Sequence, residues 1–522
     1  MVPEETRGSK MGQDKFFLTT AIDYVNNVPH LGTAYEKVAA DAIARFRRLL
    51  GQDTYFLMGN DEHSTNVEKE AVARGVAPQT YCDSMAEIFQ NIWKKLNISY
   101  NGFIRTTDPR HAKAVQKLFT KVHEQGDIYA GTYEGLYCVS CEAFYTEKDL
   151  VEGKCPTHKV EPRWISEKNH FFRLSRYQDR LLRHIEEHPE FIVPGIRCNE
   201  ILNVIKSGLE DVSISRSSLR WGIPLPIDTS QTIYVWFDAL INYISAIGYG
   251  EDGPLFSKYW PADLHIIGKD ITRFHCILWP AMLMSAGLAL PRTILGHGFV
   301  SFKGERMSKS LGNIVNPLDV VDKFGADPLR YYLLREVPLD RDGDFSWELF
   351  IERYNADLAN DLGNLLSRTL AMLVRYNAGR VENVLINGEK LGELKAVADS
   401  CIGEYLGFMK SHEIDSAVQS TWRLIKRANQ FIEETAPWQL AKDPSKRKTL
   451  FSVLNGLLES IRVISVLLVP IMPVKAGEIW KSAGFRGSPD HEQIQSLRWS
   501  ENAVEAGRTV AQPAPLFPRI AT

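Results

Sequence analysis

Phe16-Phe17-Leu18-Thr19-Thr20-Ala21-Ile22, then Asn26-Asn27-Val28-Pro29, then His30-Leu31-Gly32, sets the architecture of this chain. A short apolar run bounded by turn residues suits a strand buried on both faces of a parallel sheet. Asn26, Asn27 and Pro29 turn the chain sharply, and a helical pattern opens near Gly32 and lasts to about Leu50. Thr54-Tyr55-Phe56-Leu57-Met58 then reads as a second strand, ending before Gly59-Asn60-Asp61. Strand, helix and strand in that order are the βαβ rhythm of an α/β fold with a Rossmann-like parallel sheet. The helix start has chemical value of its own. Its first N–H groups lack intrahelical partners and the macrodipole makes them positive, so a phosphate is favoured there.

Working outward, the next informative segment is Arg306-Met307-Ser308-Lys309-Ser310, a small polar loop with two cations, flanked by Gly304 and Gly312 as hinge points. Attack at the α-phosphate of ATP builds negative charge on a pentavalent phosphorus. Fixed N–H donors on one side and mobile cations on the other suit that transition state.

Composition admits this chemistry without specifying it. At 522 residues, 44% hydrophobic and 24% charged, the chain is long enough for roughly three or four domains. A net charge of -3 argues against a wholly basic nucleic-acid binder, although one positive face would suffice for an RNA ligand. The longest apolar candidate for a membrane span, Val463 to Val469 and onward, is interrupted by Pro470 and Pro473, so no membrane partner is expected. The polar start, Met1 to Lys15, lacks the apolar core of a secretory signal, which points to a cytoplasmic enzyme. Seven cysteines, an odd number without such a signal, argue against a disulfide framework.

From Tyr133 the pattern shortens and becomes Cys-containing. Cys138 and Cys141 form one two-residue-spaced pair, Cys155 and His158 another. Such pairs can close on one ion; zinc is the natural occupant, and four protein ligands leave no open position, so the role is structural. The βα rhythm returns at Ile233-Tyr234-Val235-Trp236-Phe237. Beyond Pro317 helical signals dominate: Asp327-Pro328 reads as an N-cap followed by a proline at the first helical position, and amphipathic stretches run over Ala356–Tyr376, Ile414–Glu434 and Thr449–Leu468. The expected division is 1–125, first half of a Rossmann-type catalytic domain; 126–232, connective insertion with the zinc knuckle; 233–299, second half; 300–350, a linking region with the cationic loop; 351–500, an all-α helical bundle; and 501–522, a tail.

Ala21-Ile22-Asp23-Tyr24-Val25-Asn26, Gly59-Asn60-Asp61-Glu62-His63, Tyr234-Val235-Trp236-Phe237-Asp238-Ala239, Ile267-Gly268-Lys269-Asp270-Ile271 with Phe274-His275, Arg306 to Leu311 and Ala436-Pro437-Trp438 together resemble the methionyl-tRNA synthetase family of class I aminoacyl-tRNA synthetases. The resemblance runs from about Phe16 to Leu497. It implies ATP, L-methionine and methionine tRNA as partners, structural zinc, and magnesium carried with ATP. It also implies roles for residues. His30, Gly32 and Thr33 at the helix start, with Arg306 and Lys309 in the loop, would act on the phosphates. Ile22, Tyr24, Trp236, Ala239, Leu240, Tyr243, Ile271 and His275 would surround the methionine side chain, and Asp61 would take its ammonium group. An apolar, aromatic pocket with one carboxylate suits a polarizable thioether on an amino acid.

Asn364 and Arg368 lie four apart on one helical face and Trp438 follows Pro437 at a helix start; in the family these positions read the anticodon. Amide, guanidinium and indole groups can hydrogen-bond and stack on unstacked loop bases. Two positions depart from the family pattern. Thr33 stands where a second histidine is usual, and Arg306 where a lysine is usual. The insertion, about Gly126 to Asp228, is mostly filled by the knuckle and its supports, so no editing domain of the kind needed to reject a near-isostere is visible. No extra tRNA-binding module follows the bundle, which points to a monomer.

Overall fold

A computed structural model describes residues 14–521 apart from 139–142, 146, 157–158, 218, 252, 308–312, 383, 385, 387, 501–506 and 512–513, and describes 143, 144 and 306 by backbone alone. Strand β1 (Lys15–Thr20) leads through a two-residue strand β2 (Asp23–Tyr24) to helix α1 (Leu31–Leu49) and strand β3 (Asp53–Asp61). Side by side lie Gly102–Arg105, β3, β1, Leu264–Gly268, Ile294–His297 and Ile192–Val193, every pairing parallel. β2 adds at the end of β3, Asp23 opposite Asn60 and Tyr24 opposite Asp61. Phe17, Leu18, Phe56, Leu57 and Met58 are fully buried, as expected for strands covered on both faces.

Between the two halves of this sheet comes an antiparallel one, Ala143–Tyr145, Ile128–Cys138, Arg163–Phe172 and Val212–Ser213. Ile192–Val193, although inside 126–232, returns to the parallel sheet at its edge. The C-terminal region is helical, with Asn364–Asn377, Glu389–Lys410, Ile414–Thr435, Arg447–Leu468 and Pro473–Ser482 sharing one core that continues into α1.

Several sequence expectations need correction. Ile233 to Phe237 does not rejoin the parallel sheet: Ile233 ends a strand, Asp228–Ile233, paired antiparallel with Ser215–Arg216 and Pro224–Leu225, and Val235–Ala239 is helical. A short, wholly apolar run carries no periodicity to separate strand from buried helix; the sheet resumes at Leu264–Gly268. Helix Glu389–Lys410 went unread because Gly392, Gly403 and Gly407 weaken its pattern. Asp327 caps a different helix from the one expected. Its own helix starts at Ala326 behind Gly325, whose φ is 86°, while its carboxylate accepts the Lys475 N–H at 2.6 Å, in the first turn of Pro473–Ser482. Finally, the segment Pro444–Leu468 is long and apolar enough to cross a membrane by composition, but its most apolar window is entirely buried inside the protein, which makes it the core helix of the bundle.

Arg330 joins these parts. Fully buried, it meets Asp41 of α1 at 2.7 Å and donates to the carbonyls of Leu96, Pro470 and Ile471.

Candidate active site

The chain leaves β1 toward β3 on one side and returns later to Leu264–Gly268 on the other. At such a switch the carboxyl ends of the strands diverge and open a crevice. A cavity open to solvent lies there, walled by Ala21, Ile22 and Tyr24 after β1, Asp61 at the end of β3, Trp236, Ala239, Leu240 and Tyr243 from the Val235–Ala239 helix onward, and Ile271 and His275 after the central strand. All nine residues assigned from sequence to an amino-acid pocket line it. Ala21 and Asn242 line it too.

Its interior is aromatic and rigid. Trp236 stacks on Phe274 with centroids 3.8 Å apart and planes at 5°, and meets Tyr24 edge-on at 6.3 Å. Phe274 and His275 sit on a π-helical turn, Phe274–Leu278, a widened geometry common at functional sites. His275 Nδ1 lies 3.0 Å from the Ile271 carbonyl and must donate to it; Nε2 therefore accepts from the Tyr243 hydroxyl at 2.7 Å. Burial lowers the His275 pKa to about 4, so the ring is neutral near pH 7. Asp61, 3% exposed, is the acid among the lining residues.

Behind the pocket runs a polar brace that the sequence reading did not single out. Asp238, fully buried, accepts from His63 Nδ1 and His111 Nε2, each at 2.8 Å, and His111 Nδ1 meets Ser245 Oγ at 2.7 Å. Burial alone would raise the Asp238 carboxyl, but the two histidines hold it below the usual range. Asp238 follows Trp236 and His63 follows Asp61, so the brace ties the aromatic wall to the acid. One signal could have revealed it: a carboxylate inside the run Ile233 to Leu240 is costly unless paired.

On the other side of the crevice, His30 caps α1. Its Nδ1 accepts the N–H groups of Gly32 at 3.0 Å and Thr33 at 3.3 Å, which makes Nε2 the donor nitrogen of the neutral ring. Gly32 permits the ring to fold over the helix end, since a Cβ there would stand 3.0 Å from His30 Cε1. Lys309 lies outside the described residues, as does the Arg306 side chain, but both flanks of the loop reach α1. Met307 Cε would be 3.9 Å from that same Cβ, and the Val315 carbonyl accepts the Leu31 N–H at 3.0 Å. The Arg306 backbone lies in the strand Glu305–Arg306, paired with Val300–Phe302, and Gly304 with φ 78° makes the turn between them.

Of the metal-ligand set, Cys138 and Cys155 are fully buried thiols, whereas Cys141 and His158 lie outside the described residues. Among the described residues no group of three or more His, Cys, Asp or Glu is arranged to hold a metal ion. In the bundle, Asn364 is exposed and Arg368 pairs with Glu433 at 2.6 Å. Trp438, 37% exposed, follows Ala436 and Pro437 directly beyond that helix.

A split parallel sheet with a histidine-capped helix after its first strand and an aromatic cavity at its strand ends fits the catalytic domain of a class I aminoacyl-tRNA synthetase. The family model for class I tRNA synthetases (M) matches residues 16–164 and 157–370, and that for the anticodon binding domain of methionyl tRNA ligase matches 385–522. Methionine–tRNA ligase of Caldanaerobacter subterraneus subsp. tengcongensis is 47% identical over 506 residues, covering 97% of this chain and 79% of the relative; that of Clostridium perfringens is 46% identical over 512 residues, covering 98% and 79%. Mycobacterium tuberculosis methionyl-tRNA synthetase in complex with methionyl-adenylate superposes with a TM-score of 0.93 at 40% identity, covering 97% of this chain and 100% of that one. The chain belongs to the methionine–tRNA ligase family. It is an aminoacyl-tRNA ligase whose substrates are methionine, ATP and tRNA.

Proposed function

We propose that the cavity between β1 and Leu264–Gly268 holds L-methionine. Asp61 takes the ammonium group, and the thioether lies among Ile22, Tyr24, Trp236, Ala239, Leu240, Tyr243, Ile271 and His275. A neutral His275 keeps the side-chain end uncharged, so the amino acid is oriented with its polar groups toward Asp61 and the crevice. The methionine carboxylate attacks the α-phosphate of ATP; a carboxylate O–P bond forms, the bond to the leaving phosphate breaks, and methionyl-adenylate and pyrophosphate result. A ribose hydroxyl of the tRNA 3′-terminal adenosine then attacks the carbonyl and AMP leaves.

Positioning and charge stabilisation account for the acceleration, without a protein nucleophile. The N–H groups at the start of α1, Gly32 and Thr33 among them, and His30 Nε2 meet the phosphates. Arg306 and Lys309 supply the cations. Thr33 contributes a neutral hydroxyl donor in place of an imidazole. Magnesium, held by the nucleotide's own phosphate oxygens and water, neutralises part of their charge.

Cys138, Cys141, Cys155 and His158 would hold a structural zinc, which fits the thiol-rich donor set and the burial of Cys138 and Cys155. Asn364, Arg368 and Trp438 read the anticodon from the bundle. The division into 1–125, 126–232, 233–299, 300–350, 351–500 and 501–522 follows from these roles.

The observation carrying this reading is the meeting, in one largely apolar cavity, of nine side chains spread over positions 22 to 275, in a chain whose first long helix is capped by His30. ATP–pyrophosphate exchange driven by each amino acid in turn tests it. Exchange with methionine, lost in Lys309→Ala while tRNA binding persists, is expected. Exchange driven only by cysteine or leucine, or an unaltered rate in Lys309→Ala, contradicts it.

A further inference from the structure

The middle of α1 carries charges that the chemistry above does not use. Lys37 is fully buried, and its ammonium meets three oxygens: the Ala21 carbonyl at 2.8 Å, Glu36 Oε1 at 2.6 Å and Asp23 Oδ1 at 3.1 Å. These match its three N–H donors. Glu36 turns its other oxygen to His297 Nε2 at 3.0 Å, and His297 Nδ1 donates to the Gly298 carbonyl at 2.7 Å.

Taking these ions out of water costs several kcal/mol each, and apolar side chains would hold a helix to a sheet without that cost. What the ions add is direction. Ala21 and Asp23 bracket Ile22 and precede Tyr24, in the stretch that leads from β1 into β2. Ile22 and Tyr24 face the cavity, while Asp23 between them reaches back to α1. Lys37 lies about two turns along α1 from the capping His30. Past His297, the strands Val300–Phe302 and Glu305–Arg306 run toward the cationic loop. One hydrogen-bonded chain of charged and polar groups thus touches the amino-acid wall, the phosphate-facing helix and the strand leading to the loop.

We propose that Lys37 is a positioning residue for methionine activation: by gripping Ala21 and Asp23 it registers Ile22 and Tyr24 against the helix that carries His30, so that the amino-acid carboxylate and the α-phosphate meet in reactive geometry. This rests on the reading of the cavity as the methionine site. Burial raises the Asp23 pKa to about 7 even with Lys37 alongside, which agrees with a carboxylate that depends on that ammonium for its charge.

The test compares Asp23→Asn, Lys37→Met and the double variant Asp23→Asn/Lys37→Met with the wild-type chain. Melting temperature and, in methionine-driven exchange, kcat and the separate KM values for methionine and ATP are measured. Lys37→Met strands two carboxylates and lowers the melting temperature; the double variant recovers much of it, because only Glu36 remains and His297 faces it. Loss of registry predicts that kcat/KM for methionine nonetheless stays down by about 100-fold in the double variant, the scale of a 1 Å misplacement. In Asp23→Asn, which keeps the shape and replaces the ion pair with Lys37 by a neutral contact, a fall of about tenfold with little thermal change is expected.

Recovery of kcat/KM together with the melting temperature, or unchanged kinetics in Asp23→Asn, overturns the proposal and leaves a structural ion cluster. If the Lys37 variants do not fold, the Asp23→Asn kinetics decide alone. Absence of methionine-driven exchange in the wild-type chain sinks the cavity's assignment instead.

Discussion

The Tyr243 hydroxyl sits 2.7 Å from His275 Nε2 and donates to it, because the other ring nitrogen is committed to the Ile271 carbonyl. A charged imidazolium would force the Tyr243 hydroxyl to turn from donor to acceptor, and burial of the whole ring favours the neutral form.

That relationship makes stability depend on pH. The native ring resists protonation until about pH 4, whereas an unfolded histidine takes a proton near pH 6.5. Between those values the unfolded chain binds more protons, so stability falls as pH drops; the contribution is complete above 6.5. At about 1.4 kcal/mol per pH unit it amounts to roughly 3 kcal/mol. Denaturant unfolding at pH 7 and pH 4.5 of wild type and His275→Asn is the measurement. A smaller pH-dependence in the variant is expected, and an equal one counts against the neutral ring.

Gly32→Ala places a methyl 3.0 Å from His30 Cε1 and displaces the cap. A drop in kcat of about 10²-fold, the usual cost of removing one preorganised donor, is expected with methionine KM little changed. Exchange kinetics at wild-type rate would show that the ring does not serve the phosphates.

Arg330→Met removes one of the two cations that face the buried Asp41 carboxylate. Burial alone would raise Asp41, but Arg330 and then Arg45 hold it down to about 2. Breaking a buried pair costs about 3–5 kcal/mol, and Arg45 and Ser99 still face Asp41, so a fall in melting temperature toward the small end of that range is expected. Because Arg330 also holds the carbonyls of Pro470 and Ile471, the catalytic half and the bundle should lose stability together, as seen by hydrogen exchange. Protection lost in only one of them would contradict that junction.

Much of the site was legible because its signals are local. β1, its Asn/Pro turn and the capped helix follow from an apolar run beside turn residues, and the pocket residues fall in short stretches with family likeness. Lys37, Glu36 and Asp41 were not legible, since a charged residue in a helical pattern ordinarily faces water. His297, which faces Glu36, and Arg330, which faces Asp41, lie hundreds of residues away. Ile233 to Phe237 reads as the return of the βα rhythm because an apolar run that is buried all round looks alike as strand or helix.

Trp438→Ala should separate the two halves of the reaction. A stacked base is worth about 1–3 kcal/mol, so aminoacylation of methionine tRNA is expected to fall by about tenfold or more, with methionine-driven exchange intact. Parallel losses in both assays would mean that the indole holds the fold instead.

Asp61 offers the most direct test that the cavity is the methionine site. Steady-state exchange with varied methionine and varied ATP, on wild type and the isosteric Asp61→Asn, separates binding of the amino acid from binding of the nucleotide. A charge-assisted bond to the ammonium is worth about 1.5–3 kcal/mol, so methionine KM should rise by roughly 10- to 100-fold while the KM for ATP stays close to the wild-type value. An unchanged methionine KM, or a rise confined to ATP, would contradict it.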